Sequence, residues 1–303
     1  MTAIVIETKG ISKVYAGVPA VDNVSLTVRR GEVVGFVGLN GAGKSTTINM
    51  LLGFIKPKVG SISLFGKELT LQNAATSHQN IGYATGDMSL FEDMTGRRYH
   101  EFVARAYGSS LDSDTYRELV EVFQPQLDKK IDTLSRGNKQ KIALIAAFMT
   151  EPELVILDEP SSGLDPLMQQ RFLDLVRSQM KKGTTVFMSS HYLNEVVDVC
   201  TRIVLIKNGR IVKDIPSSEL ERSSGRMVEV VTKNKSTPPK TAELVERYKR
   251  DEFHVLKFVF KGTAESLQKW LSSLTNLQDF SVNHHSAEAA FDDLYDVKEP
   301  DNV

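Results

Sequence analysis

The sequence contains little that would support a disulfide framework or a membrane span. Cys200 is the only cysteine in 303 residues, so no disulfide can form within the chain, and its place at the end of the apolar-rich run 196–200 predicts a buried thiol. The longest apolar run, Ile142 to Met149, is far shorter than the roughly 20 residues that a membrane-spanning helix needs. We therefore expect a protein of a reducing compartment that reaches a membrane only through a partner.

The sequence has no excess of positive or negative charge, and its first residues do not resemble a secretory signal. The 37 Lys and Arg residues balance 38 Asp and Glu residues, so the net charge of -1 provides no field that would attract nucleic acid or anionic lipid. The segment 1–10 reaches Glu7 without a basic patch ahead of a long apolar stretch. We expect a cytoplasmic protein with no nucleic-acid partner.

The region from Ile4 to about Asp214 alternates short β-branched runs with segments of helical period. This pattern predicts an α/β fold in which crossover helices join the strands of a mostly parallel sheet. The run Leu154–Leu157 shows no alternation, as expected for a strand covered on both faces. The turn Asn208-Gly209 predicts a closing antiparallel hairpin. Further predicted strands are Val33–Val37, Thr185–Met188 and Ile203–Ile206.

Composition changes after Ser217, which places a domain boundary between Ser217 and Arg226. We predict a first domain at 1–220 and a small α+β accessory domain at 221–303, with a loop at 233–241, where Pro, Lys and Ser are frequent. Within the second domain, periodicity predicts strands at Met227–Thr232 and Phe253–Phe260, and helices at Ala242–Lys249 and Ala264–Leu274.

The segment 38–46, GLNGAGKST, matches the phosphate-loop pattern G-x-x-x-x-G-K-[ST] after a predicted strand. Its glycines let successive backbone N–H groups point at phosphate oxygens, while Lys44 reaches the β- and γ-phosphates and Ser45 ligates Mg²⁺. A glycine-rich turn with a chance Lys-Ser is the structural alternative. The predicted nucleotide-binding residues of this loop are Gly38, Asn40, Gly41, Ala42, Gly43, Lys44, Ser45 and Thr46.

Two adjacent carboxylates end the apolar strand 154–158 and precede Pro160. Asp158 is placed to hold Mg²⁺ through water, and Glu159 to polarise the water that attacks the γ-phosphate. A solvated acidic turn is the alternative, which the phosphate loop upstream disfavours.

Further motifs follow in an order that resembles the ABC ATPases. The segment 134–138, LSRGN, is similar to the LSGGQ signature, and its Ser135 lies 23 residues before Asp158, as in that family. The segment 162–165, SGLD, resembles the D-loop, and His191 resembles the switch histidine. The resemblance covers roughly residues 4–215. It implies a P-loop cassette with a mostly parallel central sheet, an antiparallel β subdomain and a helical subdomain at roughly 86–150.

The resemblance also implies an ATPase that works with ATP and Mg²⁺ as a homodimer around two nucleotides. Tyr15 would stack on adenine, and Ser135 and Gly137 would bind the γ-phosphate of ATP held by the second copy. Asp165 would bridge the copies, and His191 would join Lys44 and Glu159 in the catalytic set. Simpler readings remain open: an ordinary tyrosine at 15, a plain helix cap at 135 and a core histidine at 191.

Two departures from the family pattern stand out. Gly86 occupies the place of a Mg²⁺-binding glutamine, and Asp87 is the nearest substitute. In the signature, Arg136 replaces a glycine and Asn138 a glutamine. A cation at 136 would either raise the affinity for phosphate or face solvent.

The signature with Asn138, the loop without glutamine and the segment 286–295, SAEAAFDDLY, resemble motor subunits of ABC-2 type exporters. This resemblance implies a separate transmembrane permease and a peripheral position on the inner face of the membrane. The segment 91–107 would receive a coupling helix of the permease or form a solvated charged helix. Two other functions stay open, a soluble ATP-dependent switch on ribosomes or DNA and a degenerate ATP-binding scaffold. His284 and His285 are predicted to be surface residues.

Overall fold

The computed structural model describes residues 2–70, 72–86, 91, 93–219 and 225–284. The chain divides into two compact units, Met1–Asp214 and Ile215–Val303. The division lies just before the segment in which the composition changes.

A six-stranded sheet forms the centre of the first unit. Its spatial order is β10-β9-β3-β8-β7-β6, and β6, β7, β8, β3 and β9 pair in parallel. Every residue of β3, β7 and β8 is buried, so the prediction that 154–157 forms an interior strand is confirmed. The strands are β3 (Val33–Val37), β6 (Ile81–Thr85), β7 (Leu154–Asp158), β8 (Thr185–Ser190), β9 (Arg202–Lys207) and β10 (Arg210–Pro216).

The turn between β9 and β10 has both central residues in the left-handed region, Asn208 at φ 50° and Gly209 at φ 78°. This geometry matches the twist of a two-residue hairpin and confirms the predicted antiparallel ribbon.

A second, antiparallel sheet has the order β2-β1-β4-β5. Val5, Ile6, Val24 and Val28 are buried in a cluster that also contains Phe36 of β3, so the two sheets share one core. The strands are β1 (Ile4–Tyr15), β2 (Val18–Arg29), β4 (Val59–Leu64) and β5 (Lys67–Glu68).

Two helices of the first unit, α1 (Lys44–Leu51) and α5 (Arg136–Phe148), begin within the phosphate loop and the signature, respectively. The other described helices of this unit are α2 (Ala74–His78), α3 (Gly96–Ala106), α4 (Asp114–Phe123), α6 (Pro166–Lys181) and α7 (Leu193–Val199). No helix in the described part of the chain is long and apolar enough to cross a membrane.

His100 of α3 joins α3, α4 and α5 in the interior. Its Nε2–H donates to the Ile142 carbonyl at 2.9 Å, because a carbonyl can only accept, and its Nδ1 therefore accepts from the Tyr116 hydroxyl at 3.2 Å. Burial lowers the pKa of His100 to about 4, so the ring is neutral at neutral pH.

Cys200 follows α7 and is buried, as predicted. A Cβ placed on Gly35 of β3 would lie 3.1 Å from the Cys200 sulfur and 1.8 Å from Val196 Cγ1, so α7 packs directly on this strand. Burial raises the pKa of the Cys200 thiol well above its usual range.

In its described residues, the second unit contains an antiparallel sheet in the order β12-β13-β11-β14 and the helix α8 (Ala264–Ser272). Val228, Val230, Leu256 and Phe258 of the sheet form a core with Leu267 of α8. The strands are β11 (Arg226–Thr232), β12 (Ala242–Arg250), β13 (Phe253–Phe260) and β14 (Leu277–His284).

The predicted helix at 242–249 is wrong, because these residues form the edge strand β12. The sequence AELVERYK fits a helical period, but an exposed edge strand has no buried face to impose alternation. Pairing with the apolar β13 across a turn at Asp251, φ 54°, decides the conformation.

Candidate active site

The loop from Gly38 to Gly43 links β3 to α1 and has a shape that only glycine allows at two positions. A Cβ on Gly43, at φ 105°, would lie 2.4 Å from the carbonyl oxygen of Ala20, and a Cβ on Gly38 would lie 2.5 Å from that of Ile206. Gly43 is the N-cap of α1 and provides no side-chain cap, so the N–H groups of the first turn are available to an anion.

Lys44 lies over this loop with only 4% of its side chain exposed. Its ammonium donates to the carbonyl oxygens of Gly38 at 2.7 Å and Leu39 at 3.2 Å, and lies 3.3 Å from Glu159 Oε1. The cation is therefore held between the phosphate loop and the end of β7, a position from which it can contact a polyphosphate bound in the loop.

One serine of the neighbouring strand contacts both acidic residues at the end of β7. Asp158 pairs in register with Ser189 of β8, and Ser189 Oγ donates to Asp158 Oδ1 at 2.5 Å. The same Oγ accepts from the backbone N–H of Glu159 at 3.0 Å. Glu159 adopts a left-handed backbone, φ 50°, which is uncommon outside glycine and concentrated at functional sites.

His191 completes the group around Glu159. Its Nδ1 lies 3.3 Å from Glu159 Oε2, but the contact lacks hydrogen-bond geometry, and this buried nitrogen has no hydrogen-bond partner among the residues that the structure describes. The structure thus brings Lys44, Glu159 and His191 together.

The signature residues lie at the start of α5. Ser135 is its N-cap, and its hydroxyl accepts from the Asn138 N–H at 3.4 Å. Within one chain, Ser135 therefore acts as an ordinary helix cap. A Cβ on Gly137 would lie 2.7 Å from the carbonyl oxygen of Gly163, which explains why this position is glycine. Asp165 caps α6 through the Met168 N–H at 3.0 Å. Their roles toward a second copy stay predictions.

Tyr15 ends β1 with 44% of its surface exposed, and the ammonium of Lys13 lies 5.7 Å from the centre of its ring. The exposed ring is available for stacking, which remains a prediction. Ser45 is exposed in the first turn of α1, so its hydroxyl is accessible to a metal ion.

Gly86 has no room for the side chain that the family pattern would place there. A Cβ would lie 2.7 Å from the carbonyl oxygen of Glu159 and 2.9 Å from Ser162 Cβ. The Gly86 N–H instead donates to the Asp158 carbonyl at 2.8 Å, so this position contributes backbone alone. Asp87, the predicted substitute, lies outside the described residues.

Sequence reasoning missed Ser189 and Gln140 as organisers of the site. Gln140 of α5 is buried and donates to the Pro160 carbonyl at 2.8 Å, which fixes the turn after Glu159. The pair Ser189-Ser190 directly before His191 was the available signal for Ser189, whereas the contact of Gln140 spans 20 residues and left no local trace.

Comparison with known proteins identifies the family of this chain. The family model described as ABC transporter matches residues 21–162. The bacitracin transport ATP-binding protein BcrA of Bacillus licheniformis is 32% identical over 74% of this chain and 74% of its own length. The daunorubicin/doxorubicin resistance ATP-binding protein DrrA of Streptomyces peucetius is 36% identical over 74% of this chain and 68% of its own.

Among solved structures, one described as the structure of the ATP-binding subunit of an ABC transporter superposes with a TM-score of 0.65. It is 33% identical in sequence and covers 72% of this chain and 92% of its own length. The chain therefore belongs to the ABC transporter family and is an ATP-binding ATPase.

Proposed function

We propose that this chain is the motor subunit of an ABC-2 type exporter, which hydrolyses ATP at two composite sites of a dimer and drives transport by a separate membrane permease. The observation that carries the proposal is the Glu159 carboxylate held 3.3 Å from both Lys44 Nζ and His191 Nδ1. The names of BcrA and DrrA, which refer to bacitracin transport and drug resistance, support the transport task.

The phosphate loop and α1 supply the nucleotide-binding half of the site. Backbone N–H groups of residues 41–46 and the positive end of α1 would receive the β- and γ-phosphates, and the Lys44 ammonium would contact the same oxygens. Tyr15 would stack on the adenine through its exposed ring. Close packing at Gly38 and Gly43 fixes the loop before any ligand arrives.

The residues present fit a Mg²⁺ ion. The Ser45 hydroxyl is accessible, and Asp158 is a buried carboxylate aimed by Ser189, so both offer the hard oxygen ligands that Mg²⁺ prefers. When bound, the ion would neutralise charge on the phosphate oxygens.

Cleavage requires a base beside the attacking water. Glu159 would orient this water and accept its proton, while Lys44 and His191 flank the carboxylate. The partly exposed ring of His191 beside Glu159 would contact the γ-phosphate.

The signature residues would complete the site of a second copy. Ser135 is exposed at the N-terminus of α5, so this helix end can approach an anion on another molecule. In such a dimer Ser135 and Gly137 bind the γ-phosphate that the other copy holds, and Asp165 lies at the contact between the copies. Each chain then owns two half-sites.

An exposed aromatic pair supports the permease contact. Phe91 and Phe102 are 53% and 49% exposed and meet edge to face with ring centres 5.4 Å apart. A solvated charged helix has no need of such a pair, which favours a surface that receives a helix of the permease. This contact would place the chain on the inner face of the membrane.

The decisive experiment is affinity purification of the full chain from detergent-solubilised membranes, with partners identified by mass. We expect a polytopic membrane protein in stoichiometric amount. Recovery of ribosomes or nucleic acid in moderate salt, without a membrane protein, would favour the switch function instead. Phosphate release by the purified chain with MgATP separates a working ATPase from a degenerate scaffold, which would release none.

A further inference from the structure

Three segments of the first unit meet at the guanidinium of Arg136, the first residue of α5. Arg136 Nη2 donates to Ser162 Oγ at 2.8 Å and lies 3.5 Å from the Gly86 carbonyl oxygen. Ser162 belongs to the turn 160–163 that directly follows Glu159, and Gly86 follows β6. Arg136 is exposed, yet its side chain is directed at the turn 160–163. It does not simply face solvent, which was one of the two expectations from the sequence.

Close backbone packing fixes the same contact. A Cβ on Gly163, at φ 82°, would lie 2.9 Å from Arg136 Cγ, so the aliphatic part of Arg136 lies flat on Gly163. A Cβ on Gly137 would lie 2.7 Å from the Gly163 carbonyl oxygen. Gln140, in the next turn of the helix, donates to the Pro160 carbonyl. Positions 136, 137 and 140 share one side of α5, which is thereby clamped to the turn 160–163.

This turn leads directly to the catalytic carboxylate. The Ser162 N–H donates to the Glu159 carbonyl at 3.1 Å, and the same carbonyl is packed against Gly86. A displacement of the start of α5 must therefore move Ser162 and the backbone of Glu159 together, because close-packed groups of this kind do not deform separately.

We propose that Arg136 is a positioning residue that ties the N-terminus of α5 to the turn after Glu159, and so couples the ATP contacted by α5 to cleavage by Glu159 of the same chain. The inference rests on the proposed dimer, in which α5 contacts the ATP of the other copy. Arg136 itself does not touch phosphate. One guanidinium nitrogen, Nη2, reaches Ser162 and Gly86 at once.

The test compares R136A, R136K, S162A and the double variant R136A/S162A in the full chain. With MgATP, we expect R136A to lower kcat about 10-fold and S162A about 3-fold. The double variant should resemble R136A, because each single change already removes the same hydrogen bond between Arg136 and Ser162. R136K should lie between R136A and the wild type. Lys141→Ala, a cation on the same helix, is the matched control and should keep the wild-type kcat.

Two further measurements separate positioning from direct binding. ATP affinity by calorimetry should stay within about 2-fold of the wild type in R136A, which also shows that the variant is folded. In the E159Q background, R136A should still form the ATP-dependent dimer on size exclusion.

Loss of that dimer would mean that Arg136 binds the γ-phosphate and would overturn the inference, as would an unchanged kcat or additive effects in the double variant. If E159Q without the Arg136 change fails to dimerise with ATP, the proposed dimer is wrong, and the inference fails with it. The E159Q variant therefore tests the dimer, and the variant that also carries R136A tests the role of Arg136.

Discussion

Two helix N-termini in the first unit face anions in the proposed mechanism, and they are built in opposite ways. The start of α1 has a left-handed glycine as its N-cap and a lysine with 4% exposure beside it, so its donors point into a site made within one chain. The start of α5 is capped by its own Ser135 and is exposed. The first end is complete in a monomer, whereas the second acquires a ligand only from another molecule.

Replacement of Glu159 by Gln gives the sharpest separation of these two ends. The amide cannot accept the proton of water, so turnover should fall about 1,000-fold while ATP still binds at α1. ATP that is bound but not cleaved should hold two copies together, and the check is phosphate release alongside size exclusion with MgATP. A variant that stays monomeric under these conditions would refute the role given to α5.

Lys44→Ala changes only the nucleotide-binding site at the start of α1. The substitution removes the cation beside the phosphate loop and leaves Glu159 without its lysine, so ATP affinity should fall about 100-fold or more. Calorimetry measures the effect, and Lys67→Ala in β5 serves as a surface control. Unchanged affinity in the Lys44 variant would contradict the phosphate contacts.

His100 contacts the middle of α5 through the Ile142 carbonyl, which makes the packing of this helix sensitive to acid. Its pKa of about 4 in the folded chain lies below the ordinary value of 6.5, so the unfolded chain binds more protons between these values. The free energy of unfolding should therefore fall by about 3 kcal/mol as pH drops from 6.5 to 4, through this residue alone.

The glutamine variant of His100 isolates that contribution. An amide can donate to Ile142 and accept from Tyr116 without titrating, so the wild type should lose stability relative to H100Q as pH falls. Denaturant unfolding at several pH values measures it, with H78Q as the control histidine. A difference that does not change with pH would show that His100 charges freely when folded.

Ser135→Ala produces the smallest expected change in stability and tests the α5 end directly. The cap hydrogen bond is long, at 3.4 Å, so its loss should cost about 0.5 kcal/mol of unfolding free energy. In the E159Q background it should nevertheless weaken the ATP-dependent dimer about 10-fold. Ser113→Ala removes the cap of α4 and should cost as much stability without affecting the dimer.

Most of the central sheet and the phosphate loop could be predicted because their signals are local. A continuous apolar run predicts β7 by itself, and the glycine spacing of 38–43 predicts the loop with the helix that follows. The strand β12 was missed because its edge position removes the alternation that would identify it, and its partner β13 lies beyond a turn.

The architecture around Arg136 could not be predicted for a different reason. Its contacts reach 26 residues forward to Ser162 and 50 residues back to Gly86, and they depend on the space left by glycines on three separate segments. A pattern of residue types along the chain carries no record of such distances. The missing side chain at 86 looked like the loss of a ligand, whereas packing shows that the site is closed to any side chain there.

The burial of Cys200 has a practical consequence for following the molecule in solution. The only sulfhydryl of the sequence is enclosed between α7 and β3 and resists ionisation, so alkylating reagents should leave the native protein unmodified. A cysteine introduced at an exposed position such as Arg105 would then be the single attachment point for a spin label or a fluorophore. Distances between the labels of two copies could be read without any background substitution.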